Sequence, residues 1–473
     1  MKILLATGYI PKKKQITRLP WMKYCPPLGL GYIAAVLQER GQDVSIVDCL
    51  ALQHSLDEIV DCIVSQKPDI VGISVMSTTY EGAVKISKQI KKKINVPIVF
   101  GGPHCSSFPI RTMEQCPDVD FLVYGEGESI FPLLIEAISG SLSYFDVPQL
   151  CFRGSDGNPI LNKQERLVED LDKIPFPARH LFNKPLYPAN TYTLVTSRGC
   201  SYGKCAFCAR TGLLYEKYRR RSVASVIKEL ESLCRGAACD KVVFLDDNFA
   251  QDDDWVVEFC DNLIQKGLAF KWHCRARVDT ITEKMIEKMA FTGCDMIMYG
   301  IESGSQSMLD YIEKGTSIQQ ARHAIKITRQ FGIKTWGYFI LGLPKETPEL
   351  GKQTVRFAID LDLDIAQFTP AMAFPGTRLY DLCKQEGGLI DDSNDFYDTS
   401  ISAPILMPQI RFVPKAYNNK TNVASILKFA YIKFYLRFSY IKRLLKNKEG
   451  RFSPRQLVDA FLFFIRIIFS KLY

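Results

Sequence analysis

The chain has 473 residues, of which 47% are hydrophobic and 23% are charged. That length predicts about three folded units, and the composition excludes a small peptide-like module and an intrinsically disordered chain. The formal net charge of +9 is concentrated at one end, because residues 411–473 hold 14 Lys and Arg against two Asp and Glu, whereas the other residues sum to −3.

Fifteen cysteines are spread along the chain, which is not typical of a small disulfide-rich scaffold. The first residues lack the basic, apolar and cleavage regions of a secretory signal. We therefore expect a cytoplasmic protein with reduced thiols. The apolar stretch 457–469 contains Asp459 and Arg466 and is shorter than the roughly 20 residues that cross a bilayer, so we expect no transmembrane helix.

Residues 1–140 alternate β-branched runs with helical patterns, which predicts an α/β domain with a doubly wound parallel sheet. The predicted strands are 2–6, 43–48, 69–75, 97–100 and 121–124, and the predicted helices are 29–40, 56–66 and 80–92. Such sheets bind ligands beyond the carboxyl ends of their strands. The residues there are Ser74, Ser77, Thr78, Gly101, Gly102, His104, Gly125 and Glu126. Glycines allow close approach of a ligand, but they could equally form tight turns of the sheet.

Residues 141–188 are rich in proline and predict a linker, and residues 189–400 contain a second series of alternating strands and helices. The predicted strands are 192–196, 241–245, 270–278, 296–301, 335–341 and 365–371. The predicted helices include 223–234, 254–266, 282–291, 318–331 and 348–361. Six such units predict a partial TIM-type (βα)6 barrel, in which the chemistry belongs to the loops that follow the strands.

The loop after the first strand of this barrel contains Cys200, Cys205 and Cys208. Thiolates are soft ligands for zinc or for iron-sulfur clusters. A structural zinc needs a fourth ligand, and none follows at a zinc-finger spacing. Three thiolates therefore favour a 4Fe-4S cluster with one open iron, and ordinary cysteines are the alternative.

The cysteine loop resembles the motif of radical S-adenosylmethionine (SAM) enzymes, in which an aromatic residue, here Phe207, precedes the last cysteine. It departs from that motif because four residues, not three, separate Cys200 from Cys205. The later loops resemble the segments that bind SAM in this family. By that resemblance, the SAM contacts are Phe207 in the cysteine loop itself, Asp246, Asp247 and Asn248 near the amino group, Arg277, Glu302 at the ribose with Ser303 beside it, and the Ile340 backbone at the adenine. The resemblance implies reductive cleavage of SAM to methionine and a 5'-deoxyadenosyl radical, without a catalytic general base.

Residues 1–140 resemble the cobalamin-binding domain that precedes many radical SAM barrels, through the segments 26–32, 72–78, 101–104 and 125–128. The D-x-H-x-x-G motif that supplies a lower cobalt ligand is missing, and His104 is more simply a turn residue than a ligand. Two reactions fit this pair of domains. Methylation of an unactivated carbon is the first, and oxidative cyclisation, as in the anaerobic magnesium-protoporphyrin ester cyclases, is the alternative. The resemblance also implies a low-potential electron donor of the flavodoxin or ferredoxin type.

Residues 401–473 predict a basic helical extension with helices 425–446 and 454–471. These helices could pack on the barrel as a pair, or they could contact the inner face of an anionic membrane through basic residues beside Phe461, Phe463, Phe464 and Phe469. Membrane contact would suit a lipid-like substrate rather than another small molecule. A basic zinc-stabilised nucleic-acid-binding protein would leave the SAM-like segments unexplained, so we expect no nucleic acid as a partner.

Overall fold

The computed structural model describes residues 1–10, 25–163, 168–209, 217–234, 238–374, 376–390 and 410–446. Five parallel strands form the core of its N-terminal domain. The strands are β1 (Lys2–Thr7), β2 (Asp43–Val47), β3 (Ile70–Ser74), β4 (Ile98–Gly101) and β5 (Phe121–Val123), in the order β2-β1-β3-β4-β5. The helices are α1 (Leu28–Glu39), α2 (Cys49–Leu52), α3 (Leu56–Ser65), α4 (Tyr80–Lys93), α5 (Pro103–Ser107), α6 (Pro109–Gln115) and α7 (Gly127–Ile138). The predicted doubly wound parallel sheet is confirmed.

Both faces of this sheet are buried, which explains why its strands are continuous apolar runs. Ile3 and Leu5 of β1 pack into one core with α1 and α7. Leu4 and Ala6 of the same strand pack into a second core with α3 and α4. Successive side chains therefore serve opposite layers of the domain.

The N-terminal sheet extends into the segment that the sequence predicts as a linker. Strands β6 (Leu150–Arg153) and β7 (Pro159–Leu161) continue it beyond β5, each antiparallel to its neighbour. Leu150, Cys151 and Phe152 are buried. Part of residues 141–188 is therefore integral to the first domain.

Six parallel strands form the sheet of the second domain. They are β8 (Thr191–Leu194), β11 (Lys241–Phe244), β12 (Lys271–Ala276), β13 (Cys294–Glu302), β14 (Lys334–Leu341) and β15 (Ile365–Pro370). Their order in the sheet is β15-β14-β13-β12-β11-β8. A short ribbon, β9 (Ser197–Arg198) and β10 (Arg219–Arg220), follows β8. The helices are α8 (Val223–Cys234), α9 (Asp253–Gln265), α10 (Glu283–Phe291), α11 (Gln306–Tyr311), α12 (Ile318–Gln330), α13 (Pro348–Asp360) and α14 (Arg378–Glu386). This arrangement confirms the partial (βα)6 barrel.

Local sequence signals set the helix boundaries of the barrel. The hydroxyl of Ser317 accepts a hydrogen bond from the Gln320 amide at 3.1 Å, and the Gln320 side chain accepts one from the Ser317 amide at 2.7 Å. This capping box satisfies two backbone donors at the start of α12. Thr347 caps α13 in the same position, with proline at the first helical residue.

The C-terminal extension begins with α15 (Lys420–Tyr435), which covers the free edge of the barrel sheet. The Tyr431 hydroxyl donates to the carbonyl of Phe368 at 2.9 Å and accepts from its amide at 3.1 Å. Tyr435 makes the same pair of bonds with Ala366, at 2.7 and 3.2 Å. Side-chain hydroxyls thus satisfy backbone groups of β15 that a further strand would otherwise pair.

The sequence predicts one helix over 425–446, but the structure has α15 and a second helix, α16 (Phe438–Lys446). The Arg437 guanidinium, between the two helices, donates to the carbonyls of Phe434 at 2.5 Å and Leu363 at 3.3 Å. The bond to Phe434 satisfies a carbonyl in the last turn of α15, and the bond to Leu363 ties this end to the barrel. The predicted helix 454–471, with its phenylalanines, and the boundary at 400/401 lie outside the described residues. Within the described ranges, no helix is long and apolar enough to cross a membrane.

Candidate functional site

The cysteine loop begins at the carboxyl end of β8 and is held at its base by Asp246, which follows β11. The buried Asp246 carboxylate accepts hydrogen bonds from the Thr196 amide at 3.1 Å, the Thr196 hydroxyl at 2.7 Å and the Ser197 hydroxyl at 2.5 Å. Asp246, which the sequence predicts as a SAM contact, therefore fixes the strand leading into Cys200. Its neighbour Asp247 is half-buried.

The extra residue between the first two cysteines is accommodated by a wide turn built on Tyr202. Gly203 has a φ of +59°, a conformation that suits glycine. The Tyr202 hydroxyl donates to the carbonyl of Glu313 at 2.8 Å. An added Cβ at Gly315 would lie 2.1 Å from that hydroxyl oxygen, so only glycine leaves room for the ring. The longer loop is thus docked on the turn 313–315.

All three cysteines of the loop are half-buried. In the part of the chain that the structure describes, no group of three or more His, Cys, Asp and Glu side chains is arranged to hold a metal ion. Burial raises the pKa of the Cys205 thiol, whereas the cations of Lys314 and Arg277 lower it and Cys208 raises it further. Three thiols are the type of ligand that holds an iron-sulfur cluster, and the cations of Arg277 and Lys314 lie close to Cys205.

Arg277, at the end of β12, lies at the centre of the site. Its guanidinium makes two hydrogen bonds of 2.9 Å to Asp279, stacks 4.0 Å from the Tyr202 ring centroid and lies 3.7 Å from the Cys205 sulfur. Burial alone would lower the pKa of Arg277, but Asp279, Cys205 and Cys200 raise it. The sequence predicts Arg277 as a SAM contact, and the structure places its positive charge directly beside the cysteine loop.

Glu302 and Lys314 form a buried ion pair at the end of β13. Glu302 has a φ of +69°, a strained conformation that is uncommon outside glycine. The Lys314 ammonium donates to Glu302 Oε1 at 2.9 Å and lies 5.5 Å from the Phe207 ring centroid. Burial would lower the pKa of Lys314, but Glu302 and Cys205 raise it, so the ammonium stays charged. Sequence reasoning missed Lys314, because no motif marks a lysine twelve residues after its partner.

Four further residues predicted to bind SAM are buried or half-buried in the barrel. Phe207 and Ile340 pack against one and the same apolar cluster, although 133 positions separate them in the sequence. Asn248 is fully buried and accepts a hydrogen bond from the Arg277 amide at 3.1 Å. Its Nδ2 has no hydrogen-bond partner among the described residues. Ser303, which is also fully buried, shares a hydrogen bond of 3.1 Å with Thr354. A buried apolar cluster and a buried amide donor without a partner in the described ranges fit a nucleoside ligand such as SAM.

The carboxyl ends of β3 and β4 present small polar residues, as the sequence predicts. Ser74 lies beside Gly101 in the sheet register. Ser77, Thr78 and Gly102 are half-buried beside Met76, which is 44% exposed. Small side chains around an exposed apolar one fit a broad ligand with apolar faces and amide edges, as cobalamin has.

His104 is buried between the aromatic rings of Tyr80 and Phe108, with centroids 4.4 and 5.4 Å away. The Ser77 hydroxyl lies 3.2 Å from its Nδ1. Burial, helped by the charge of Arg111, lowers the pKa of His104 to about 3, so the ring is neutral. His104 is predicted as a turn residue, but it is the second residue of the short helix α5, where its ring packs between two aromatic rings.

Gly125 and Glu126 lie at the carboxyl end of β5 but face different neighbours. The Gly125 amide donates to Ser106 at 2.9 Å, and its φ of +79° allows the turn. Glu126 is 2% exposed, and its carboxylate accepts hydrogen bonds from Arg219 and from the Val168 amide. Its oxygens are thus engaged by protein donors. Glu126, which the sequence predicts as a cobalamin contact, is therefore bonded to the connecting segment and to the barrel.

Comparison with known proteins matches two family profiles, one in each domain. Residues 22–135 match the profile described as B12 binding domain, and residues 194–358 match the Radical SAM superfamily. The first range covers β2 to β5 of the first domain, and the second covers β11 to β14 of the barrel.

Relatives extend the similarity over nearly the whole chain. An uncharacterized methyltransferase of Pyrococcus horikoshii is 35% identical over 443 residues, which cover 92% of this chain and 93% of the relative. The anaerobic magnesium-protoporphyrin IX monomethyl ester cyclase of Rubrivivax gelatinosus is 27% identical over 450 residues, covering 92% and 79%. The solved structure of OxsB, a cobalamin-dependent SAM radical enzyme, shares the fold with a TM-score of 0.77 at 19% identity, covering 99% of this chain and 71% of OxsB. The chain belongs to the radical SAM enzymes that carry an N-terminal B12-binding domain.

Proposed function

We propose that this protein is a cobalamin-dependent radical SAM enzyme that methylates an unactivated carbon of its substrate. The observation that carries the proposal is the juxtaposition of two sites. The carboxyl end of the N-terminal sheet is joined by buried ion pairs to the strands that flank the cysteine loop of the barrel. A methyl donor in the first domain and a radical source in the second would therefore face the same space. The Pyrococcus relative, named as a methyltransferase, supports this reaction type.

Cys200, Cys205 and Cys208 would hold a 4Fe-4S cluster, and SAM would bind across Asn248, Arg277, Glu302 and Ile340. The cobalamin-binding face would be formed by Ser74, Ser77, Thr78, Gly101 and Gly102. When bound, the cluster supplies the electron that cleaves SAM to a 5'-deoxyadenosyl radical, and cobalamin supplies the methyl group.

The residues of this chain would bind and orient these groups. Arg277 and Lys314 place two positive charges at the cysteine loop. These charges stabilise nearby thiolates and carboxylates in their ionised forms. Glu302 keeps Oε2 without a partner in the part that the structure describes, so this oxygen is free to accept from a ribose hydroxyl. The apolar cluster around Phe207 and Ile340 excludes water from the adenine side.

Radical oxidative cyclisation is the second candidate reaction. The observation that favours it is the Rubrivivax relative, which is named as a cyclase and covers 92% of this chain. The same cofactors serve both reactions, so the fate of the SAM methyl group distinguishes them.

Radical SAM enzymes need a reductant and act on small molecules. We further propose a cytoplasmic location and a flavodoxin- or ferredoxin-type electron donor.

Peripheral contact with an anionic membrane would suit a lipid-like substrate. It is supported by α16, where Phe438 is 79% and Ile441 is 40% exposed beside Lys442. In a flotation assay with anionic vesicles, changing Phe438 and Ile441 to serine should reduce binding. Equal flotation of both proteins would contradict membrane contact through this helix.

Anaerobic reconstitution tests the proposed cluster. Cys205→Ala should lose iron and abolish SAM cleavage to 5'-deoxyadenosine. Cys62→Ala is the matched control, since Cys62 is also half-buried but lies in α3 of the other domain. Purified protein that contains zinc without iron, or a Cys205→Ala variant that still cleaves SAM, would contradict the proposal.

A further inference from the structure

A buried network of ion pairs crosses from the first domain to the barrel. Two nitrogens of Arg219 donate to Glu126, at 2.7 Å to Oε1 and 2.9 Å to Oε2. Arg198 lies 3.1 Å from Glu126 Oε1 and donates to Glu128 Oε1 at 2.6 Å. We name these four residues the Glu126 clamp. All four side chains are at most 11% exposed, so the clamp is shielded from solvent.

The two arginines of the clamp lie at the two ends of the cysteine loop. Arg198 ends β9, two residues before Cys200, and Arg219 begins β10 on the far side of Cys208. The two strands are antiparallel, and Arg198 pairs directly with Arg219 in their register. One carboxylate of the first domain therefore holds both the entrance and the exit of the loop.

The acidic half of the clamp is equally well placed. Glu126 immediately precedes α7, and its neighbour Gly125 hydrogen bonds to Ser106, which in turn donates to the Gly102 carbonyl at 3.0 Å. Burial would raise the pKa of Glu126, but Arg219 and Arg198 lower it below its ordinary value. An ionised carboxylate in bidentate contact is a directional and stiff connection. It ties the turn that borders the cobalamin-binding face to the cysteine loop.

We propose that Glu126 is a positioning residue that fixes the separation between the cobalamin-binding face and the cysteine loop. The inference rests on the proposed function, because it concerns how two cofactor sites serve one substrate. A transferred methyl group and a substrate radical must meet within about an ångström of the correct geometry. Domains within one chain commonly shift relative to each other unless their interface is large and apolar. A buried ionic clamp at the base of the loop opposes such a shift.

If Glu126 only stabilised the fold, its replacement should affect the two cofactor sites no more than replacement of another buried carboxylate that binds two arginines. Glu229 provides that comparison, because its side chain is also 1% exposed and also binds two arginines, Arg179 at 2.7 Å and Arg221 at 2.5 Å. Arg179 belongs to the connecting segment, and Arg221 directly follows β10 in the barrel. Glu229→Gln therefore removes a comparable buried ion pair without cutting the clamp.

The test uses the full-length chain reconstituted with both cofactors under anaerobic conditions. Electron paramagnetic resonance would measure the magnetic coupling between cob(II)alamin and the reduced cluster in wild type, Glu126→Gln and Glu229→Gln. We expect the coupling to change at least twofold or to become heterogeneous in Glu126→Gln. Glu229→Gln should keep the wild-type coupling although it lowers thermal stability.

Wild-type coupling in Glu126→Gln with both cofactors bound would overturn the inference. If that variant does not fold, Glu126→Asp keeps the charge but shortens the side chain by one methylene, and the same change in coupling is expected from it. Unaltered coupling in a folded Glu126→Asp protein would likewise refute a positioning role. Wild-type protein that binds neither cobalamin nor a cluster would instead refute the proposed function on which the inference rests.

Discussion

Glu346, in the loop after β14, should make the stability of the barrel depend on pH. Its carboxyl group is fully buried, and Oε1 accepts from the Gly342 amide at 2.6 Å and from the Tyr417 hydroxyl at 2.8 Å. Oε2 has no hydrogen-bond partner in the described ranges. Burial raises the pKa of Glu346 to about 7, against the lowering effect of the bonds from Gly342 and Tyr417. The group is therefore mostly neutral in the folded protein at mildly acidic pH.

The folded protein holds this proton more tightly than the unfolded chain does, because the ordinary pKa is 4.5. The contribution of Glu346 to stability is thus fully present below pH 4.5 and is lost as the pH rises through about 7. Between pH 5 and pH 8, the difference between the two pKa values corresponds to a loss of about 2.5 kcal/mol in the free energy of unfolding.

Glu346→Gln keeps the shape of the side chain and removes its charge. Urea unfolding of both proteins at pH 5 and pH 8 should show that the variant gains about 2.5 kcal/mol relative to wild type at the higher pH. A difference between variant and wild type that is the same at both pH values would refute the argument that this carboxyl group titrates while buried.

Three further substitutions test the packing of the barrel and of the site. Tyr431→Phe leaves backbone groups of the edge strand unsatisfied and should cost about 2 kcal/mol in urea unfolding, and an unchanged midpoint would contradict the role of this hydroxyl. Lys314→Gln leaves the buried Glu302 carboxylate without its cation and should lower the free energy of unfolding by about 3 kcal/mol. The double variant that also carries Glu302→Gln should recover most of this loss, whereas losses that simply add would argue against the ion pair. Gly315→Ala would push a methyl group against Tyr202 of the cysteine loop and should at least halve the iron content after reconstitution. Gly332 also has a positive φ but faces open space, so Gly332→Ala should keep the wild-type iron content.

Most of the fold could be predicted from the sequence, because buried parallel strands are marked by continuous apolar runs. The strands β1 to β5 and the six barrel strands lie within about two residues of their predicted bounds. Strands β6 and β7 were missed, since they are short and one begins with Pro159, which disfavours a strand. Their pairing depends on contact with β5 rather than on a local pattern. The break at Arg437 is likewise set by a tertiary contact, with Leu363.

The site residues could be predicted only where they lie on a motif. The sequence marks the three cysteines and Glu302 as candidates because each lies at or after the end of a strand in the expected order. Lys314 gives no such signal, since its partner lies on a different element. Glu126 was predicted as a cobalamin contact, yet its partner Arg219 lies 93 positions further along the chain, a distance that no local pattern reveals.

The proposed function depends on transfer of the SAM methyl group by radical chemistry with the help of cobalamin. Anaerobic incubation of the reconstituted protein with cobalamin, a reductant and methyl-labelled SAM in substrate-containing cell extract tests it most directly. Mass analysis should find 5'-deoxyadenosine and a product that carries the labelled methyl group, and omission of cobalamin should abolish the labelled product. A product formed with 5'-deoxyadenosine but without label would contradict methyl transfer and favour cyclisation, and absence of SAM cleavage would contradict the radical SAM account itself.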